Sequence, residues 1–145
     1  MHQNYNLHGL NLNFNRSFNI SEILKYYYLY VIKMKTFLFE EENLILKVGN
    51  NSSENDKLLN EADQNDIWFH LENMASPHGI LFLKNINSDE IPKNILLECA
   101  EKIKENSKAK NFRKVSVIYT FRKHIKKTNT LGKVITKKKI NKIII

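Results

Sequence analysis

Thirteen residues of the chain hold Asp66, Trp68, His70, Ser76 and His78, a set that includes the single tryptophan and two of the five histidines. Residues 67–71 read as a strand, whose side chains alternate, so Ile67 and Phe69 share one face while Asp66, Trp68 and His70 share the other. Ile67 and Phe69 suit a core. An acid, a large aromatic plate and an imidazole in a row are an odd choice for a face meant only for water. Trp68 could serve as a platform for a flat ligand, or pack as a core residue beneath a helix. His70 and His78 could contact a ligand, or bond Asp66 and fix the loop between them. Asp66, His70 and His78 together could also ligate a metal and assist a hydrolysis. Asp66 itself reads more naturally as a turn or network acid.

The elements that must position these residues follow from periodicity and turn chemistry. Residues 36–39 and 43–48 are apolar runs separated by three glutamates, a hairpin with a charged tip. Gly49-Asn50-Asn51-Ser52-Ser53 is a turn, and Ser53 with Asp56 three residues on caps a short helix, about 53–62, through Leu58 and Leu59. The central strand at 67–71, a loop through Ser76-Pro77-His78 and a second strand over 79–84 come next. Ser88-Asp89-Glu90 ahead of Ile91-Pro92 starts the main helix, about 91–107, with Ile95, Leu96, Cys99, Ala100 and Ile103 as its buried stripe. Residues 115–119 are a strand and 121–127 a basic connector. Leu131-Gly132 is a turn, and 134–135 with 140–145 form a last hairpin around the lysines at 137–139. The fold class is α+β, with a mainly antiparallel mixed sheet, one main packing helix and one short helix.

Charge is unevenly spread over the 145 residues. Residues 34–101 carry 5 Lys+Arg against 13 Asp+Glu, a net −8, and residues 102–145 carry 15 against 1, a net +14. A basic block of that density is the footprint of a polyanionic partner. Asn, Ile and Lys number 20, 17 and 20, as AT-rich coding would produce, but the acidic part shows that coding bias alone did not set the charge. Arg113, Arg122, Lys123, Lys126 and Lys127 are the candidate phosphate contacts. Residues 1–33, rich in Asn and Tyr, read as a disordered or mis-called leader before the domain at 34–145. The apolar run at 26–32 is far short of the roughly 20 residues a membrane helix needs. The one cysteine and the lack of an export signal place the chain by default in a reducing compartment, the cytoplasm or the nucleus. No nucleophile with an adjacent base, no phosphate loop and no zinc spacing occurs. No catalytic residue, metal or cofactor is therefore assigned.

Gly49-Asn50-Asn51 with Asn55-Asp56, then Asp66-Ile67-Trp68-Phe69-His70, then Ser76-Pro77-His78, resemble the NFACT RNA-binding domain. Within that family the likeness is to the small stand-alone branch, the coiled-coil domain-containing protein 25 group. Val117-Ile118-Tyr119-Thr120 and Lys126-Lys127-Thr128 share the look, and the resemblance covers about 34–145. Pro77 and Gly79 flank His78 where the family usually has a small and a branched residue, and the charged coiled coil of the small branch is missing. The resemblance implies a non-catalytic module that binds nucleic acid, with RNA as the expected ligand and transfer or ribosomal RNA as candidates. It also implies a place in translation or ribosome-associated quality control and a contact with ribosome-associated proteins. Trp68, His70 and His78 with the five basic residues then become the binding set, and Gly49, Asn55, Asp56, Asp66, Phe69, Ser76 and Gly132 the structural motif. A protein-docking domain without nucleic-acid affinity and a metal-assisted hydrolase are the alternatives.

Overall fold

The computed structural model describes residues 3–7, 10–14, 19–25, 34–137 and 140–145. The chain divides into two compact units, Met1–Lys35 and Thr36–Ile145. In the first, β1 (Gln3–Leu7) and β2 (Leu10–Phe14) pair antiparallel, and a short helix, α1, follows over 20–25. Asn19 starts that helix: its side chain accepts from the Glu22 N–H at 2.9 Å while the Glu22 carboxylate accepts from the Asn19 N–H at 3.2 Å. This reciprocal pairing satisfies two of the donors that a helix start leaves free. The apolar run at 26–32 lies outside the described residues.

The second unit is built on a sheet. Its strands are β3 (Lys35–Phe39), β4 (Leu44–Val48), β5 (Ile67–Leu71), β6 (Gly79–Phe82), β7 (Ser116–Phe121) and β10 (Asn141–Ile144), in the spatial order β10-β7-β5-β6-β4-β3. Neighbouring strands run antiparallel. The helices are α2 (Ser52–Glu61) and α3 (Lys93–Glu105). The expected α+β class, main helix and short helix are all present.

Alternation in β5 divides the sheet into two faces. Ile67, Phe69 and Leu71 join Leu44, Leu46, Leu81 and Val117 in a core closed by Ile95, Cys99, Ala100 and Ile103 of α3. Fully burying each of those aliphatic side chains is worth roughly 1.5–3 kcal/mol. Burial pushes the Cys99 thiol up, consistent with a packing role. The opposite face carries Lys47, Ile80, Trp68 and Thr120 side by side in register. Lys47 reaches Glu61 of α2 at 3.6 Å, which places α2 over this second face with Leu58 and Leu59 fully buried.

Two local expectations are corrected. Asn51 rather than Ser53 caps α2, accepting from the Glu54 N–H at 2.9 Å, because Ser53 already lies inside the first turn. The stretch over 134–136 does not pair with the chain end. Instead β9 (Val134–Thr136) pairs with β8 (Ile125–Lys127), which lies within the expected basic connector, to make a separate two-stranded ribbon. The final strand β10 joins the edge of the main sheet beside β7, where Ile143 and Ile145 pack on the core. Burial of alternate isoleucines on the α3 side outweighs the local hairpin that the sequence distance favours. Lys138 and Lys139 lie outside the described residues.

Candidate functional site

At the C-terminal end of β5 the motif residues form a hydrogen-bonded chain. Gly49 packs so closely on Asn55 that a Cβ there would overlap the Asn55 carboxamide oxygen. That oxygen accepts from the His78 backbone N–H at 3.1 Å, and the Gly49 N–H donates to the His78 carbonyl at 3.0 Å. The His78 ring in turn accepts at Nδ1 from the Trp68 indole N–H at 3.0 Å. Because an indole N–H can only donate, His78 carries its proton on Nε2, which bonds the Gly132 carbonyl. Gly132 sits at φ 77° with Ser52 within 3.0 Å of where a Cβ would lie, so both its conformation and its closeness to α2 call for glycine. Gly49→Ala is expected to cost about 1–3 kcal/mol in chemical denaturation, by forcing Asn55 off His78.

His70 lies parallel to Trp68, ring centroids 5.4 Å apart, and meets His78 edge-on at 5.0 Å. Its Nδ1 donates to the Leu71 carbonyl at 2.5 Å. Burial holds both imidazoles below their ordinary range, His78 down to about 4, so both are neutral at pH 7. The unfolded chain protonates histidine near about 6.5. Between that value and 4 it binds more protons than the folded chain, so stability is full above pH 6.5 and is lost as the pH falls. His78 alone accounts for about 3 kcal/mol of that loss by pH 4. Asp66, raised by its own burial, has the opposite sign: its ionisation costs stability as the pH climbs past about 3.9. Thermal melts from pH 7 to 4 are expected to show the acid loss, and His78→Gln to flatten it.

The rings line an open cleft of about 650 Å³ between the β5–β6 loop and the turn at 130–134. Its lining includes Asn55, His70, Met74, His78, Leu131 and Lys133, and among the described residues that line it there is no carboxylate. Ser76 closes the neighbouring loop, its hydroxyl accepting from the Leu71 N–H at 3.1 Å and donating to the Pro77 carbonyl at 2.7 Å. Phe69 stacks on Tyr119 in the other face.

Trp68 is only 2% exposed, with His70 against it. An open stacking platform needs a free ring face, so that expectation is corrected: the indole is the cleft's buried support. Nor does it pack beneath the main helix, since it lies on the α2 side. Asp66 stands at the other end of β5, accepting from the Leu83 N–H at 2.9 Å and the Asp63 N–H at 2.7 Å. It therefore tethers two loops and does not meet the histidines. Among the described residues no three His, Cys, Asp or Glu side chains form a metal-holding group.

The basic candidates divide in the same way. Arg122 donates from Nε to the Leu59 carbonyl and from Nη1 to the Ile125 carbonyl, both at 2.8 Å, tying α2 to the ribbon. Lys127 is paired with Asp56 at 2.9 Å and bonds Asn60 at 2.8 Å. Lys123 donates to Asn65 at 3.1 Å and lies over Phe121. Lys126 and Arg113 are exposed. Lys133 was not among the sequence candidates, yet it lines the cleft; its place directly after Gly132 was the available signal.

A six-stranded antiparallel sheet, with a helix on each face and an open cleft at one end of its central strand, defines a small α+β domain. The model of the NFACT protein RNA binding domain matches residues 28–141, and the chain belongs to this family. Coiled-coil domain-containing protein 25 of Bos taurus is 36% identical over 83 residues, 56% of this chain and 40% of the relative. The homolog from Dictyostelium discoideum is 32% identical over 94 residues, 63% of this chain and 46% of the relative. The match thus spans less than half the length of these relatives. The C-terminal part of the fibronectin/fibrinogen-binding protein from Streptococcus suis superposes with a TM-score of 0.68 at 22% identity, covering 77% of this chain and 45% of that one. At that identity the likeness concerns the fold alone.

Proposed function

We propose that the chain is a non-catalytic RNA-binding module. In this reading the cleft beside His70 and His78 takes unpaired RNA, while Lys126, Lys133 and Arg113 hold phosphate oxygens. The observation that carries it is convergence: Gly49, Asn55, Trp68, His70, His78 and Gly132 belong to one network around a cleft without carboxylates. A phosphate backbone can approach such a cleft without meeting like charge. Two of the titratable motif groups are already engaged in structural bonds: Asp66 by two backbone N–H groups and His78 by Trp68 and Gly132. Transfer or ribosomal RNA as ligand, cytoplasmic location and a link to translation or ribosome-associated quality control are part of the same proposal, resting on the family.

The test is a salt titration of binding to a transfer RNA, a single-stranded RNA and a duplex DNA of matched length. Affinity for RNA is expected to fall with a log–log slope of about −0.7 for each phosphate engaged on a single strand. Binding that ignores salt, or none at low salt, would turn the assignment toward a protein-docking domain.

A further inference from the structure

The geometry points to the cleft as a pocket for one unpaired nucleobase that carries an exocyclic amine, read by Nε2 of His70. This rests on the RNA-module reading and goes beyond it by naming what the pocket recognises. The argument begins with where the protons sit. A carbonyl can only accept, so the bond from His70 Nδ1 to Leu71 O fixes the proton on Nδ1 and leaves a lone pair on Nε2 in the neutral ring. Both nitrogens of His78 are already engaged, Nδ1 by Trp68 and Nε2 by Gly132. Among the described residues no buried side-chain nitrogen or oxygen lacks a partner. Among the described residues none bonds His70 Nε2, so that atom is not fully buried, and His70 lines the cleft. The wall thus offers one free ring acceptor, held in orientation by the stack on Trp68 and by the edge of His78.

A lone acceptor selects a donor, and the rest of the lining narrows which donor. Lys133 disfavours an ammonium or guanidinium and favours a ligand with an anionic attachment. Met74 and Leu131, the latter 55% exposed, supply apolar surface for a flat ring. A neutral planar ring with an amine and a phosphate on its sugar is an adenine, cytosine or guanine nucleotide. Uracil has no such amine, and its one free ring N–H lies between two carbonyls whose lone pairs would oppose that of Nε2.

The test measures binding of the full chain to single-stranded RNAs of one length and sequence, in which adenine is replaced by purine, the same ring without its amine. Loss of one hydrogen bond is expected to weaken binding about five-fold. A uridine oligomer should bind no better than the purine one. In His70→Phe, which keeps a ring on Trp68, the adenine-to-purine ratio should fall to one. Equal, salt-sensitive binding of adenine and purine oligomers by the native chain would overturn this inference and leave the RNA-module reading standing. A ratio that persists in a folded His70→Phe would also overturn it, by assigning the preference to ring stacking. Absence of salt-sensitive binding to every oligomer would overturn the module reading, and this inference with it. If His70→Phe does not fold, the comparison on the native chain still decides.

Discussion

Trp68→Ala is expected to remove about 3–5 kcal/mol of stability, the range for emptying a buried aromatic site. The indole is 2% exposed and fills the space between the sheet and the cleft wall. Truncation also strips His78 Nδ1 of its donor, and a buried acceptor left unpaired costs about 1–3 kcal/mol. Trp68→Phe separates the two effects in the main, because it retains most of the volume while removing the N–H; its expected cost is about 1–3 kcal/mol. Chemical denaturation measures both. Had the ring been an exposed platform, Trp68→Ala would fall within about ±0.5 kcal/mol, as surface changes do. A loss that small would contradict the buried placement.

Charge reversal separates the lysines that face solvent from those that hold the fold. Lys126→Glu with Lys133→Glu is expected to reduce the salt slope of binding to single-stranded RNA by about 0.7 for each residue. The native-to-variant affinity ratio should then shrink about seven-fold between roughly 50 and 200 mM salt. Unfolding free energy should stay within about ±0.5 kcal/mol of the native chain. Lys127→Glu should behave differently, since it sets a carboxylate against Asp56 and removes the bond to Asn60. The main effect there is a stability loss of about 1 kcal/mol. Arg122→Ala should resemble Lys127→Glu, because its guanidinium bonds two backbone carbonyls. A salt slope unchanged by the Lys126 and Lys133 double reversal would remove those two residues from the RNA surface.

Much of the architecture was legible locally. Alternation placed Ile67 and Phe69 in one core and Trp68 and His70 on the other face, and the stripe of Ile95, Cys99, Ala100 and Ile103 identified the side of α3 that packs. Distant pairings were less accessible. The partner of 134–136 and the place of β10 depend on which strands lie side by side in space, and a local turn signal cannot decide that. The site followed the same division. Its motif residues could be found as a group, yet the bond between Trp68 and His78 fixes a burial that a strand's alternation does not predict. For the basic residues the competing partners were remote in sequence: Leu59 lies 63 residues from Arg122 and Asn60 lies 67 from Lys127. Composition shows that lysines are plentiful, but only packing shows which of them are already engaged.

The single tryptophan at the cleft floor has a spectroscopic consequence. Its indole N–H is the chain's only one, so one resonance in a two-dimensional proton–nitrogen spectrum reports on the bond to His78, and one emission band reports on the ring stacked with His70. Protonating His78 takes away the lone pair that the indole uses and places a positive charge beside an excited ring, which quenches it. The unlabelled protein thus carries an optical titration indicator at the site, able to register acid and occupancy in the cleft before any unfolding is seen.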